Sequence, residues 1–160
     1  MYEFDPEAKI YHENDELDRI AMVIVIEYCP WGEMFDFILS TGAFDTRMTR
    51  FYLKQLIEAI HAIHSVEASH RDIKFENILL DEHFNLKVTD FGFATFNPIC
   101  STYKGTKGYM APEIHLGRNY NGQKVDIFAA GVLAYIMLSG RPPFGTSKGG
   151  DHYYDLFRRN

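Results

Sequence analysis

The length, composition and charge of the chain indicate one folded domain of ordinary size. Its 160 residues are 46% apolar and 24% charged, which is enough to bury a core and too apolar for a disordered chain. The formal charge of -6 argues against a nucleic-acid partner, which clustered cations would have to meet. We expect no membrane partner either, because the longest nearly uncharged stretch, 127–140, is shorter than the roughly 20 residues that cross a bilayer.

The cysteines and the N-terminus point to a reducing compartment. Cys29 and Cys100 are far apart and lie in no CxxC pattern, so the sequence predicts neither a disulfide framework nor a thiolate metal site. Residues 1–5 lack the basic and then apolar pattern of a signal peptide. We therefore expect a cytoplasmic or nuclear location.

The first elements are a strand and a short helix. Residues 1–19 are polar and show no apolar period, whereas Ile20–Glu27 is rich in β-branched residues and is predicted to be a buried strand. Tyr28–Gly32 breaks this strand. A short helix is expected over Glu33–Leu39, ending before Gly42.

A longer helix is predicted over Thr46–His64, with Asp45 as its N-cap. Apolar residues recur close to the helical period, so one face should pack inside the domain. These apolar positions are Phe51, Leu53, Leu56, Ile57, Ile60 and Ile63.

A hairpin with polar ends is the most informative feature of the chain. Two short apolar runs, 78–80 and 86–89, are separated by a polar turn, so they should pair. One end of the hairpin offers Asp72, Lys74 and Asn77. The other offers Asp90, next to a glycine that permits a sharp bend. Oxygen ligands plus one cation suit a magnesium-bound phosphate.

The remaining chain alternates loops and helices. Phe93–Tyr109 is rich in hydroxyls and glycines and is expected to be a functional or mobile loop. Val125–Leu138 is apolar nearly all round, which predicts a buried helix in which Asp126 needs a partner. Asp151 is expected to cap a last short helix over Tyr153–Arg159.

Four motifs occur together in a fixed order. A single short polar motif could be an ordinary turn, but the ordered set resembles the eukaryotic protein kinases over residues 20–160. The resemblance implies an α+β, protein kinase-like fold, mainly the helical large lobe with a remnant of the small-lobe sheet. It divides the chain into a small-lobe remnant and hinge, 1–29, and a large lobe, 30–160. The motifs are His70–Asn77, Asp90–Gly92, Ala111–Glu113 and Asp126–Phe128.

The resemblance assigns roles in phosphoryl transfer to the polar residues. Asp72 would accept or orient the proton of a substrate hydroxyl, and Asn77 and Asp90 would hold the Mg²⁺ that bridges the phosphates of ATP. Lys74 would meet the transferred phosphate, and its position after Asp72 is similar to that in the serine/threonine class. Thr106 matches the family threonine that bonds to this aspartate and lysine.

The resemblance also assigns an adenosine site to the first strand and the segment after it. Ile26 would be the gatekeeper, and the backbone of Glu27 and Cys29 would face the adenine. Glu33 would reach the ribose, and Leu79 would close the lower face of the adenine. As a bare pattern, a β-branched strand is more often core than a cofactor wall, so these roles depend on the resemblance.

A regulatory phosphate is implied in the long loop. Arg71 leaves a cation that family members commonly neutralise with such a phosphate. Thr102 is the best-placed acceptor for an upstream activating kinase, with Ser101 and Tyr103 as neighbouring alternatives. The plain alternative is a hydroxyl-rich loop without this role.

Two other polar groups have competing interpretations. His61, His64 and His70 could suggest a metal site, but no acidic or cysteine partner lies at zinc-ligand spacing, so packing is the preferred interpretation. Asp126 would, by resemblance, bond to the backbone of the catalytic loop. The alternative is that it caps the buried helix.

Parts of the family pattern are not found in this sequence. The chain has no G-x-G-x-x-G, Lys9 lies in no V-A-I-K context, and we expect the large lobe to be truncated before its last helices. Phe75 and Phe128 replace the usual Pro and Trp. We therefore expect these residues alone to bind Mg-ATP weakly and to transfer phosphate negligibly, because the phosphates lack their upper cover.

Two functions follow from the resemblance. The first is a serine/threonine kinase catalytic domain acting on a protein substrate, and the second is a non-catalytic pseudokinase or interaction module. The intact set of polar residues favours the first, and the missing small lobe favours the second. Segments 32–38 and 50–57 are similar to the calcium/calmodulin-dependent and AMP-activated branch.

Overall fold

The computed structural model describes residues 25–145, 151, 154 and 155. Within them, helices and short antiparallel strands alternate, which confirms the α+β class. The predicted boundary between residues 29 and 30 stays a prediction. The helices are α1 (Met34–Thr41), α2 (Thr46–Ser65), α3 (Pro112–His115) and α4 (Gly122–Ser139), and the strands are β1 (Ile78–Leu80), β2 (Leu86–Val88), β3 (Ile99–Cys100) and β4 (Tyr120–Asn121).

The core lies between α2, α4 and the β1–β2 hairpin. Asp45 caps α2 as predicted, accepting a hydrogen bond from the Met48 amide at 2.7 Å. The buried stripe of α2 runs through Leu56 and Ile60. The expectation that Phe51 and Ile57 face the core is wrong, since they are 52% and 42% exposed. α2 touches the core along a narrow stripe, and these side chains lie on its flanks.

Helix α4 is the central helix, but it differs from its prediction in two ways. Its N-cap is Asn121, whose side chain accepts from the Lys124 amide at 3.0 Å, so capping by Asp126 is wrong. Burial all round is also wrong, because Ile127 and Tyr135 are 50% and 44% exposed. No element in the described part of the chain covers that face.

The β1–β2 hairpin has the predicted register. Ile78 pairs with Val88 in an antiparallel ladder, and the Thr89 amide donates to the Asn77 carbonyl at 3.0 Å. Asp90 follows Thr89 directly. The hairpin therefore brings Asn77 and Asp90 to the same end, as the sequence predicted.

A second small sheet was not predicted. Strands β3 and β4 pair antiparallel, with Cys100 opposite Tyr120, and β3 lies inside the loop Phe93–Tyr109 that was expected to be irregular. A strand of two residues has no period that a sequence pattern can reveal. This pairing joins the long loop to the start of α4.

The predicted first strand and last helix lie at the two ends of the described region. The predicted strand Ile20–Glu27 falls mostly outside it, and the described Val25 and Ile26 are 90% and 76% exposed and lie in no strand. The buried-strand prediction is wrong for these two, because no described strand pairs with them. Most of the predicted last helix lies outside the described residues, but Asp151 accepts from the Tyr154 amide at 3.1 Å, as a cap would. Among the helices in the described ranges, none is long and apolar enough to span a membrane.

Candidate active site

The loop after α2 is fastened to α4 by one buried carboxylate. Asp126, which is 1% exposed, accepts hydrogen bonds from the backbone amides of His70 at 2.9 Å and Arg71 at 2.7 Å. Arg71 has φ of 67°, a left-handed conformation that is uncommon for a residue with a side chain. Asp126 therefore holds the loop in this conformation, and its predicted contact with the loop backbone is confirmed.

His64 takes part in the same anchor, which the sequence analysis missed. Its Nε2 atom lies 2.9 Å from Asp126 Oδ2, so His64 makes a polar contact and is not simply packed. His61 is exposed. Within the described residues, no group of three potential His, Cys, Asp or Glu ligands could hold a metal ion. The sequence did hint at such a contact, because a buried aspartate such as Asp126 needs polar partners.

Asp72 lies at the centre of the site, 7% exposed and in contact with three other predicted residues. Its Oδ1 atom accepts from the Thr106 hydroxyl at 2.7 Å, and its Oδ2 atom lies 3.0 Å from Lys74 Nζ. Lys74 Nζ also donates to the Thr106 hydroxyl at 3.0 Å. Asn77 Nδ2 donates to the Asp72 carbonyl at 2.9 Å and to Oδ2 at 3.3 Å. The structure thus brings together the four residues that the catalytic-loop resemblance singled out.

His70 connects the loop after α2 to Thr89, the residue that follows β2. Its Nε2 atom lies 3.0 Å from the Thr89 carbonyl, while the Asp72 amide donates to its Nδ1 atom at 3.2 Å. The tautomer with the proton on Nε2 satisfies both contacts. Its ring meets that of Phe91 edge-on, with centroids 4.9 Å apart. The sequence analysis gave His70 no such role, because this contact depends on the tertiary placement of Thr89.

The hairpin end carries oxygen atoms that fit a divalent cation. Both hydrogen bonds of the Asn77 side chain are made by Nδ2, which leaves Oδ1 for a ligand. Asp90 is exposed, has φ of 60° and accepts from the Gly92 amide at 3.2 Å. A Cβ atom at position 92 would lie 3.0 Å from Asp90 Oδ1, a close contact with the end of an exposed side chain, and Gly92 itself is not in the left-handed region. Carboxylate and amide oxygens suit Mg²⁺.

Thr102 lies beside the cation that the sequence analysis paired with it. Arg71 Nη1 donates to the Thr102 hydroxyl at 3.1 Å, and the Tyr120 hydroxyl donates to the Thr102 carbonyl at 2.8 Å. The Thr102 side chain is exposed. The neighbouring Tyr103 instead places its hydroxyl 2.9 Å from His115 Nδ1. Among the hydroxyls considered, Thr102 is the one in contact with Arg71.

Tyr109 closes the segment that carries Thr106. Its amide donates to the Thr106 carbonyl at 3.1 Å. Burial raises the pKa of Tyr109 to about 12, and the charge of Glu76 acts in the same direction. The phenol therefore stays protonated at neutral pH.

The segment predicted to face adenosine runs along β1. The Leu80 amide donates to the Gly32 carbonyl at 3.0 Å, and Glu33 and Leu79 form an isolated antiparallel bridge. Glu33 and Leu79 are both partly buried. The two residues assigned to the ribose and to the lower face of the adenine are therefore neighbours.

The other residues assigned to adenosine lie farther from the core. Ile26 is exposed, and Glu27 forms an ion pair with Lys87 at 2.9 Å. Burial raises the pKa of the Cys29 thiol, and the nearby Glu27 charge acts in the same direction. Roles for these side chains in ligand binding stay predictions.

Comparison with known proteins identifies the family. The sequence profile of the protein kinase domain matches residues 9–159. The chain is 39% identical over 138 residues to NUAK family SNF1-like kinase 1 from Mus musculus, an alignment covering 84% of this chain and 21% of that protein.

Other relatives agree. Maternal embryonic leucine zipper kinase from Danio rerio is 38% identical, with 86% of this chain and 21% of that protein aligned. Serine/threonine-protein kinase cds1 from Schizosaccharomyces pombe is also 38% identical, with 87% and 31% aligned. The chain thus spans between about a fifth and a third of the length of these relatives. By its profile match, this chain belongs to the protein kinase domain family.

Proposed function

We propose that this chain provides the catalytic loop of a protein serine/threonine kinase, which transfers the γ-phosphate of ATP to a Ser or Thr hydroxyl of a protein substrate. The observation that carries the proposal is the buried Asp72 carboxylate, held by Lys74 and Thr106 at 3.0 and 2.7 Å. Family membership supports it. The non-catalytic alternative gains no support, because the relatives compared above are named as kinases.

The proposed reaction uses each of these groups once. Asp72 orients the substrate hydroxyl and accepts its proton as the oxygen–phosphorus bond forms and the bond to the ADP oxygen breaks. Lys74 stabilises the charge of the transferred phosphoryl group. Thr106 keeps both side chains in place through its shared hydroxyl.

ATP and Mg²⁺ are the proposed cofactors. Asn77 Oδ1 and the Asp90 carboxylate would hold Mg²⁺, which when bound neutralises charge on the phosphates. The backbone of Glu27 and Cys29 would meet the adenine. Ile26, Glu33 and Leu79 complete the proposed nucleotide site.

Regulation by an upstream kinase is proposed at Thr102. A phosphate there would replace the neutral hydroxyl acceptor of the Arg71 hydrogen bond with an anion, and the resulting ion pair is stronger. The expected result is an ordered loop over residues 93–109.

The two unpaired cysteines support a cytoplasmic or nuclear location, which also remains a proposal.

A substitution of Asp72 in the complete gene product tests the proposed function. The measurement is ATP-dependent phosphorylation of a generic Ser/Thr peptide. Asp72→Asn should lower kcat by about 10²–10⁴-fold, the range for loss of a general base, with little change in Mg-ATP binding. The control is Asp36→Asn, which makes the same chemical change on an exposed face of α1. Equal turnover by the wild type and Asp72→Asn would contradict the proposal.

A further inference from the structure

An aromatic stack joins the proposed adenosine segment to the turn between β1 and β2. The Trp31 and Phe84 rings lie 4.6 Å apart at an interplanar angle of 21°. Trp31 Nε1 donates to the Glu82 carbonyl at 3.4 Å, and Phe37 meets Phe84 edge-on at 6.3 Å. None of these four residues has a role in the reaction proposed above.

Two further contacts connect the same parts of the chain. Lys87 of β2 forms an ion pair with Glu27 at 2.9 Å and lies 3.7 Å from Asp81. The Trp31 amide donates to the Leu80 carbonyl at 3.3 Å. The ion pair is partly exposed and contributes little alone. Together with the stack, it fixes both ends of the segment 27–33 to the hairpin.

Several hydrogen bonds hold the turn between β1 and β2. Asp81 Oδ1 accepts from the amides of His83 at 2.9 Å and Asn85 at 2.8 Å. Phe84 has φ of 60°, and its amide donates to the Asp81 carbonyl at 3.0 Å. A bulky residue seldom adopts this left-handed conformation. Here it accompanies the stacking of the Phe84 ring on Trp31.

We propose that Phe84 is a positioning residue for nucleotide binding, acting through Trp31 on the segment that meets the adenosine. The hairpin carries Phe84 at its turn and Asn77 and Asp90 at its opposite end. It therefore sets the spacing between the adenosine site and the phosphate site. This inference rests on the proposed ATP-dependent function and adds residues that the family resemblance did not supply.

The experiment compares two ligands that share phosphates but not adenosine. Dissociation constants for Mg-ATP and for magnesium tripolyphosphate are measured by NMR on the complete protein. Phe84→Leu should weaken Mg-ATP binding about three- to tenfold, the energy of one aromatic pair, and leave tripolyphosphate binding unchanged. Asp90→Asn should weaken both ligands. Phe51→Leu on α2, an exposed phenylalanine that contacts Tyr52, is the matched control.

Each outcome has a definite meaning. A selective loss of Mg-ATP affinity in Phe84→Leu supports the inference, whereas no change, or an equal loss for both ligands, overturns it. Wild-type protein that binds neither ligand would overturn the proposed function as well, so the two failures are distinct. Lys87→Met, which keeps the Phe84 ring, should show the same selectivity in a smaller degree. Trp31 is the only tryptophan among these 160 residues, and its indole NMR signal reports whether the stack is lost.

Discussion

The shared hydroxyl of Thr106 is the smallest part of the site with a distinct role. It donates to Asp72 at 2.7 Å and accepts from Lys74 at 3.0 Å. A hydrogen bond to a charged group contributes about 1.5–3 kcal/mol, so Thr106→Val should lower kcat roughly ten- to hundredfold. Thr106→Ser keeps the hydroxyl and should retain most activity. Peptide phosphorylation by the complete gene product measures both, and equal loss in the two variants would contradict this role.

Ser69 carries a buried hydroxyl that is left without a hydrogen-bond partner among the described residues. Its side chain is 2% exposed. Ser69→Ala should therefore leave the free energy of unfolding unchanged or raise it by about 1 kcal/mol. Urea denaturation measures the change. Ser65→Ala is the control, because the Ser65 hydroxyl donates to Ala62 at 2.7 Å, and a loss of more than about 1 kcal/mol at Ser69 would refute the expectation.

The start of α4 allows a matched test on one element. A Cβ atom on Gly122 would overlap the Ser69 side chain, whereas one on Gly131 would meet nothing within 4 Å. Gly122→Ala should destabilise the fold by about 1–3 kcal/mol through overpacking. Gly131→Ala should stabilise it by up to about 1 kcal/mol through helix propensity. Thermal denaturation gives the change in melting temperature for each variant. The two changes must have opposite signs if close packing at Gly122 decides the outcome.

The turn of the β1–β2 hairpin should respond to acid. Burial acts to raise the pKa of Asp81, but hydrogen bonds from Asn85 and His83 outweigh it, so the pKa lies below the usual 3.8. As the pH falls, the unfolded state therefore binds a proton at Asp81 before the folded state does. The contribution of Asp81 to the free energy of unfolding is present above about pH 4 and is lost as the pH falls through the lowered pKa. Asp81→Asn should reduce the loss of unfolding free energy below about pH 4, which urea denaturation at several pH values measures. An unchanged dependence of the unfolding free energy on pH in this variant would contradict the assignment.

The same elements show how far the sequence could predict the fold and the site. The hairpin and α2 were predicted because apolar period and turn residues extend over several positions. Strands β3 and β4 were not, since two residues carry no period. The apolar pattern of α4 predicted burial but not which face the described chain leaves open. The motif residues around Asp72 were found by resemblance, whereas the contacts of His64 and His70 depend on tertiary placement that no local pattern encodes.

At the scale of the whole molecule, Asp126 joins three parts of the fold through one buried side chain. It contacts His64 of α2 and two amides of the catalytic loop from its position in α4. Asp126→Asn would place an N–H group against one of these donors, and the loss of stability should be about 3 kcal/mol or more. The exposed Asp36→Asn change should have no such effect. Chemical denaturation and peptide phosphorylation are the measurements, and full stability of Asp126→Asn would show that the anchor is dispensable.

The pairing of β3 with β4 also has a consequence for the entropy of the loop that carries Thr102. Residues 101–119 leave the small sheet at Cys100 and return to it at Tyr120, so the ends of this loop are already held together. The entropy of loop closure has been lost in the folded state, before any ligand or modification acts. A phosphate on Thr102 would therefore have to order only the interior of a closed loop. A smaller part of the free energy of its contacts would be offset by the loss of chain entropy.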